Sequence, residues 1–422
     1  MKGTFDMISD MHVELEENGS IPLCCHGSIP CTPQKIAVIG LGYVGFPLFK
    51  NLSNRFYCWG MDSDPIKIAH LKKECPKLKI TSDWSDVKDC DFYIVAVPTP
   101  VDNNNSPDVT PLKVVCGNLA KVINRGDIIV FESTVYPGAT EELCIPLIET
   151  MSGLIINKDF YVGYSPERIN VGDKTHQLQN TPKIVSATDD KVCDVIKGIY
   201  ESILSAEVHL ASSIKVAEAA KMYENVQRDV LIALANQFSD YCRGEGIDVH
   251  EVTQCASTKW NFSNVKPGLV GGHCIGVDPY YLLERASTKG IHLPLVEMAR
   301  HINERKPEQV AQRLLEMCKA ICGVQKVPNI LLLGFSYKPN TNDIRNTKVA
   351  DVVKMLQGKC NLDCYDPLVD PNLVFSSYGI SLCTLERIKG RHYDLSVLMV
   401  PHEVLSNLEI ESTLHVEIKD IL

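Results

Sequence analysis

Short apolar runs alternating with helical stretches predict an α/β chain in which two parallel-sheet units are joined by one long helix. From Lys35 onward the chain repeats strand, polar turn and helix, the pattern of parallel strands covered on both faces. The unusual polar turns all fall at the carboxyl ends of the apolar runs, where doubly wound sheets hold their ligands. Between Ser212 and Arg243 about 30 residues pass without Gly or Pro, apolar at helical spacing, until Gly244 and Gly246 end them. At ~1.5 Å per residue that is a helix of about 45–50 Å, long enough to bridge two units or to build a dimer interface.

The first strand is predicted over 35–39. Gly40-Leu41-Gly42-Tyr43-Val44-Gly45 follows at once, with a helix over 47–52. Further strands are predicted over 57–61, ending at Asp62, and over 92–97, closed by Pro98-Thr99-Pro100. Two more are predicted over 128–131, ending in Glu132-Ser133-Thr134, and over 161–164, ending in Ser165-Pro166-Glu167-Arg168. A second unit opens with an apolar run over 330–333 and Gly334, then a helix over 349–356 and a strand over 362–365. The organisation expected is a polar, disordered leader over 1–34, an α/β unit over 35–208, a helical middle over 209–326 and a second α/β unit over 327–422. The sequence shows no internal repeat and no low-complexity stretch.

The 422 residues are 45% hydrophobic and 22% charged, with Lys+Arg 42 against Asp+Glu 52 and a formal net charge of −10. That balance belongs to a globular chain, and without a basic block it argues against a nucleic-acid surface. No apolar run reaches the roughly 18–20 residues a membrane span needs. Glu14, Glu16 and Glu17 stand where a signal peptide would need apolar residues. The 17 cysteines are scattered, odd in number and without metal-site spacing. They read as reduced, mostly buried fillers in a cytoplasmic protein with no metal centre.

Five groups of residues carry chemical meaning. Gly40-x-Gly42-x-x-Gly45 lies between strand and helix, with Asp62 closing the next strand 22 residues after Gly40. Such glycines let backbone approach a pyrophosphate at a helix N-terminus. The acid accepts from the adenosine ribose and repels a 2′-phosphate, which favours NAD over NADP. The run Pro267-Gly268-Leu269-Val270-Gly271-Gly272-His273-Cys274, with Asp278 four residues on, makes a poor core and suits a reactive thiol. His273 reads as structural, since neighbours on a loop usually point apart. Lys221 and Asn225, at i and i+4, share a face of the long helix and suit a developing oxyanion. Thr134 and Glu167 lie on strand-end turns and are open to a turn or a catalytic reading. Tyr337-Lys338 and Asp343-Ile344-Arg345 follow the first strand of the second unit, where two cations suit phosphates and a salt-bridged loop is the plainer alternative.

In the stretches IAVIGLGYVGFPL, VPTP, ESTVYPG, GYSPERIN, SSIKVAEAAKMYENVQRD, PGLVGGHCIGVDPYYL and GFSYKPNTNDIRNTKVADV, the chain resembles the UDP-glucose/GDP-mannose dehydrogenase family. The likeness covers nearly all of 35–422 and is strongest to the bacterial UDP-N-acetylhexosamine 6-dehydrogenases. It implies two Rossmann-like doubly wound domains joined by a long, dimerising central helix. It also implies oxidation of the C6 alcohol of UDP-N-acetylglucosamine or UDP-N-acetylgalactosamine to a carboxylate with two NAD and one water, supplying a uronic acid for surface polysaccharide. Cys274 is then the nucleophile that carries a thiohemiacetal and afterwards a thioester. Lys221 and Asn225 would hold the oxyanion, Asp278 would orient a water or the lysine, Glu167 would serve thioester hydrolysis and Thr134 would place water. NAD is expected on Gly40, Gly42, Tyr43, Val44, Gly45, Asp62, Lys67, Val97, Pro98, Thr99, Ser133, Thr134 and Arg345. The UDP-sugar is expected on Glu167, Arg168, Ile169, Asn170, Lys221, Asn225, Gly268, Gly271, Gly272, Tyr337 and Lys338.

Three features depart from the family pattern. The stretch between Asp62 and Phe92 is short, Val171 stands where relatives carry Pro or a second acid, and Lys266 stands where Arg is expected. One alternative is a UDP-glucose 6-dehydrogenase, separable by kinetics on both sugars. The other is an inactive relative that binds NAD or UDP-sugar, against which the intact Cys274 and Lys221 argue.

Overall fold

The computed structural model describes residues 33–102, 104–169 and 177–422. The expected leader up to residue 32, with Asn170 and Val171, lies outside them. The first sheet is built from β1 (Lys35–Ile39), β2 (Tyr57–Met61), β3 (Lys79–Thr81), β4 (Phe92–Val95), β5 (Ile128–Phe131), β6 (Tyr161–Tyr164), β7 (Lys183–Ala187) and β8 (Val208–Leu210). Their order is β3-β2-β1-β4-β5-β6-β7-β8, parallel except where β7 runs against β6. The second sheet holds β9 (Asn329–Leu333), β10 (Asn361–Tyr365), β11 (Tyr393–Leu398) and β12 (Ser412–Glu417), all parallel in the order β10-β9-β11-β12.

Side chains alternate across a strand, so an unbroken apolar run feeds two cores. Ala37, Ile39, Tyr93, Val95, Ile129 and Phe131 fill one face of the first sheet, and Ile36, Val38, Phe92, Ile94, Ile128 and Val130 fill the other. In the second sheet Ile330, Leu332, Leu395 and Val397 face one side, while Leu331 and Leu333 face the opposite one. Each fully buried aliphatic or Phe side chain contributes roughly 1.5–3 kcal/mol.

Each sheet reverses its strand order once, between β1 and β4 and between β9 and β11, and such reversals open crevices at the carboxyl ends of the strands. The same device shapes both. Gly40 and Gly334, each directly after the first strand, have φ of 94° and 90°. A Cβ on Gly40 would stand 2.6 Å from the Ala96 carbonyl oxygen, and one on Gly334 would stand 2.6 Å from that of Val400. Asp62, after β2, accepts from the Leu41 N–H at 2.9 Å. Asp366, after β10, accepts from the Phe335 N–H at 2.6 Å.

Joining the sheets is the central helix, Ile214–Gly244, whose N-terminus is capped by the Ser213 hydroxyl accepting from the Val216 N–H. Beside it lies a second long helix, Pro294–Cys322, which the sequence reading did not anticipate because Pro307 interrupts its run. Between the two runs a polar ladder. Asn303 donates to Asp229 at 2.8 Å, Asn236 donates to Asn303 at 3.0 Å and Lys306 reaches Asp240 at 2.8 Å. Residue numbers climb together along both helices, so they run in the same direction. The architecture is the expected one, two doubly wound sheets joined by a long central helix. The strand predicted over 92–97 ends at Val95, because Ala96 and Val97 line the crevice ahead of Pro98 and Pro100, which have no N–H to donate. Among the described residues no helix is long and apolar enough to cross a membrane.

Burial leaves several acids short of compensation. It pushes Asp127 and Glu218 each up to about 7, and Asp229 up to about 6, although hydrogen bonds and Arg300 pull the other way. A carboxyl held above its ordinary value binds its proton more tightly folded than unfolded. Its stabilising contribution is therefore present at low pH and is lost as pH rises through the folded value, here between about 4 and 7. Half-buried His273, pushed down to about 4, opposes this below about 6.5. The ligand-free protein is expected to melt at a lower temperature at about pH 8 than at about pH 6.5, and Asp127→Asn to flatten that slope. A melting temperature that climbs across that interval contradicts the assignment.

Candidate active site

The three motif glycines have different reasons to be glycine. A Cβ on Gly45 would fall 1.8 Å from the Gly40 carbonyl oxygen, so helix and strand pack only because it is absent. A Cβ on Gly42 would meet nothing within 4 Å. Its open surface faces the crevice, which fits the backbone approach a dinucleotide pyrophosphate needs. Asp62 lies beside it, with its carboxylate accepting from Lys67 at 2.8 Å and from the Asp64 N–H at 3.0 Å. Burial alone would raise this carboxyl; the bonds from Lys67, Asp64 and Leu41 hold it below its ordinary value. Ser133 donates to the Val97 carbonyl at 2.7 Å and Thr99 to the Thr134 carbonyl at 2.6 Å. Those hydroxyls lock the two strand-end turns to each other.

The reactive loop is held from below by the central helix. Asn236 donates to the Gly268 carbonyl and accepts from the Gly268 N–H, both at 3.0 Å. Asn225 donates to the Asp278 carboxylate at 2.5 Å, and Asp278 opens the helix Asp278–Thr288. Burial pushes Asp278 up to about 6 against the pull of Lys221 and Asn225. Gly271 and Gly272 are glycine because a Cβ would stand 2.7 Å from the Asn346 carbonyl oxygen and 2.8 Å from the Tyr337 ring. Cys274 is half-buried. Burial, then Asp278, pushes its thiol up to about 12 while Lys221 and Arg345 draw it back.

His273 departs from its structural reading. Its Nδ1 stands 3.1 Å from the Cys274 Sγ, and its Nε2 is buried without a partner among the described residues. Burial, then Arg345, pushes the imidazole down to about 4, so it is neutral at neutral pH. It stacks on Tyr43 of the glycine turn and meets the Tyr337 edge, each with ring centroids 6.3 Å apart. Arg345 lies 4.7 Å from the Tyr43 ring centroid and pairs with Asp343 at 2.6 Å. Residues of both sheets thus meet at the cysteine.

On the other side, Glu167 accepts from the Arg168 and Ile169 N–H groups at 2.7 and 2.6 Å, and its second oxygen stands 3.5 Å from the Lys183 ammonium. The Arg168 guanidinium is committed to Glu224, at 2.8 Å, and to the Pro182 carbonyl, at 2.9 Å. Ile169 packs its side chain on the sheet core. Two groups escaped the sequence reading. Lys183, with Glu132 and Tyr200, forms a buried cluster behind Glu167 that no local sequence pattern marks. His402, after β11, accepts from the Asn340 N–H at 2.9 Å through Nδ1 and donates to Asp366 at 3.0 Å through Nε2. It thereby fixes the turn that carries Tyr337 and Lys338.

A dinucleotide crevice on one sheet, a second crevice on the other and a cysteine between them define an α/β oxidoreductase with two nucleotide sites. Matches to known families agree domain by domain. The NAD binding domain of the UDP-glucose/GDP-mannose dehydrogenase family matches residues 72–204, its central domain 215–305 and its UDP binding domain 331–419. The chain belongs to that family and is an NAD-dependent nucleotide-sugar dehydrogenase. It is 43% identical over 394 residues to the UDP-N-acetyl-D-glucosamine 6-dehydrogenase of Salmonella typhi, covering 89% of this chain and 92% of that one. To the enzyme of the same name in Pseudomonas aeruginosa it is 41% identical over 394 residues, covering 90% and 93%. Among solved structures, the UDP-D-ManNAc dehydrogenase of Pyrococcus horikoshii superposes with a TM-score of 0.81 at 29% identity, over 92% of this chain and 96% of that one.

The glycine geometry separates folding from cofactor binding. Gly42→Ala is expected to leave stability within about 0.5 kcal/mol and to weaken NAD binding about tenfold or more. Gly45→Ala is expected to cost several kcal/mol of stability. Calorimetry and NAD titration of both variants check this, and a Gly42→Ala protein with unchanged NAD affinity refutes it.

Proposed function

We propose that the chain carries out a four-electron oxidation of the C6 alcohol of UDP-N-acetylglucosamine or UDP-N-acetylgalactosamine to the uronic acid, for a surface polysaccharide. The observation that carries the reading is the Cys274 thiol 3.1 Å from a neutral imidazole, above Lys221 and the Asn225–Asp278 pair. The similarity to UDP-N-acetyl-D-glucosamine 6-dehydrogenases supports the acetamido sugar over UDP-glucose.

Gly42 and Asp62 would hold NAD, which would supply the hydride acceptor for C6 in each oxidation. The chain's own residues manage the carbon and the protons. The Cys274 Sγ adds to the C6 aldehyde, forming the S–C bond, and its proton passes to His273 Nδ1 and on to the O6 alkoxide, leaving a thiohemiacetal. Lys221 and Asn225 hold O6 as charge develops there, and the O6 hydroxyl proton released in each oxidation leaves through a water oriented by Asp278. After the second hydride leaves, the thioester is cleaved by water, with Glu167 accepting its proton and Cys274 restored as a thiol. Holding the carbon on sulfur keeps the aldehyde from escaping and divides one hard step into two.

The central helix presents Tyr223, Leu234, Phe238 and Tyr241 exposed on one face, which supports a homodimer along that helix. Fourteen described cysteines without a disulfide suit the reducing cytoplasm.

With limiting UDP-N-acetylglucosamine and excess NAD, two NADH per sugar are expected at completion. One NADH means that the aldehyde escapes and the Cys274 and Glu167 roles fail. None, followed by turnover of UDP-glucose or UDP-N-acetylgalactosamine, replaces the sugar. His273→Gln is expected to lower kcat about 100-fold with KM little changed, whereas a Cys274→Ala protein that still formed carboxylate at the normal rate would refute the thioester route.

A further inference from the structure

We infer that Lys183, buried between Glu132 and Glu167, is the positioning residue of the hydrolytic half-reaction and fixes Glu167 as the acceptor of the water proton. This rests on the thioester reading above. Lys183 begins β7, the strand that runs against β6, and is almost fully buried. Its ammonium stands 3.1 Å from Glu132, 3.4 Å from the Pro166 carbonyl and 3.5 Å from Glu167. It also lies 5.0 Å from the Tyr200 ring centroid.

The cluster has a resident pair and a guest. Tyr200 donates its hydroxyl to one oxygen of Glu132 while Lys183 takes the other, so both oxygens of Glu132 are used inside the protein. Burial raises the Glu132 carboxyl while Lys183 draws it down. Glu167 is different. It lies on the turn after β6, its first oxygen accepts from two successive N–H groups, and among the described residues its second faces the Lys183 ammonium. A carboxylate gripped at both oxygens is held in one orientation.

Stability alone is a poor reason for such a cluster, because a well-packed apolar replacement for a buried ion pair is often neutral or stabilising. What the cation adds is a fixed partner for a side chain whose task is geometric. Thioester cleavage needs a water at the acyl carbon and an acceptor within hydrogen-bond reach of its proton. As the water oxygen bonds to carbon the C–S bond breaks, Glu167 takes the water proton, and the sulfur leaves to be reprotonated. Hydride transfer does not use Glu167, so loss of its positioning falls on one half-reaction.

The test is a rapid-mixing experiment on the full chain with NAD and the sugar nucleotide that turns over in the endpoint assay. NADH is followed through the first turnover, and the mass of the quenched intact protein is measured. K183M is expected to give a burst of two NADH per site near the wild-type rate. Steady-state turnover then slows about 100-fold as an acyl adduct accumulates. K183R keeps the cation and is expected within about fivefold of wild type, with no adduct. K183M leaves Glu132 buried and unpaired, so the E132Q/K183M variant, which removes both charges, is measured beside it and is expected to stall in the same way. The inference is overturned if the variants that fold slow the burst and the steady state alike without an adduct, or turn over at the wild-type rate. E167Q is the control. If it turns over without an adduct, the role of Glu167 itself falls, and not merely that of Lys183.

Discussion

The reactive loop has no core of its own, and everything chemical about this protein depends on the polar face of one helix. Glycines at 268, 271, 272 and 276 thin the run around Cys274, whose few buried apolar side chains include Val270 and Val277. The central helix supplies what packing cannot. Asn236 grips Gly268 through both backbone groups, Asn225 grips Asp278, and Glu218 accepts from the Gly138 and Thr140 N–H groups of the turn after β5. One rigid rod thus sets the distance between the cofactor crevice, the thiol and the Asp278 carboxylate. Precision of this kind favours polar contacts over apolar ones, since each hydrogen bond has one geometry and a methyl contact has many.

Such a floor carries an electrostatic cost that the second long helix spreads out. Asp229 and Asp240 face it from the central helix, and Asn303, Arg300, Lys306 and Arg313 answer them. Replacing any one of these by an apolar residue strands its partner, which is dearer than never having the pair. The ladder therefore locks the register of the two helices, and through Asn236 it locks the loop as well.

Much of this was legible in the sequence, and the boundary is physical. Strands β1, β2, β5 and β6 were visible because a sheet covered on both faces forces unbroken apolar runs. The Gly40 turn and Asp62 were visible because both partners lie within one strand-turn-helix unit. Gly334 and Asp366 make the same device on the second sheet, yet no repeat shows in the sequence. The device needs one glycine and one acid at the ends of adjacent strands, and nothing between them has to match. His402 and Lys183 were invisible for another reason. His402 acts on residues 36 and 62 positions away, and Lys183 reaches Glu132 across 51. No local pattern records such pairings.

His273 shows how a site emerges from meeting surfaces. On the sequence it is a loop residue beside a cysteine, and adjacent side chains usually diverge. The positive φ of 81° at Gly272 bends the backbone just before it, and Tyr337 packs against that bend so closely that a Cβ would collide with its ring. The imidazole is left between Tyr43 of the first sheet and Tyr337 of the second, with Nδ1 toward the sulfur. The same closeness strips water from the ring and keeps it neutral, which preserves the lone pair that the thiol needs. Contact between the two sheets, the neutral imidazole and a proton acceptor for Cys274 are therefore one arrangement. Tyr43 belongs to the glycine turn itself and carries Arg345 on its face, so the crevice that receives the cofactor and the group that accepts the thiol proton share a wall.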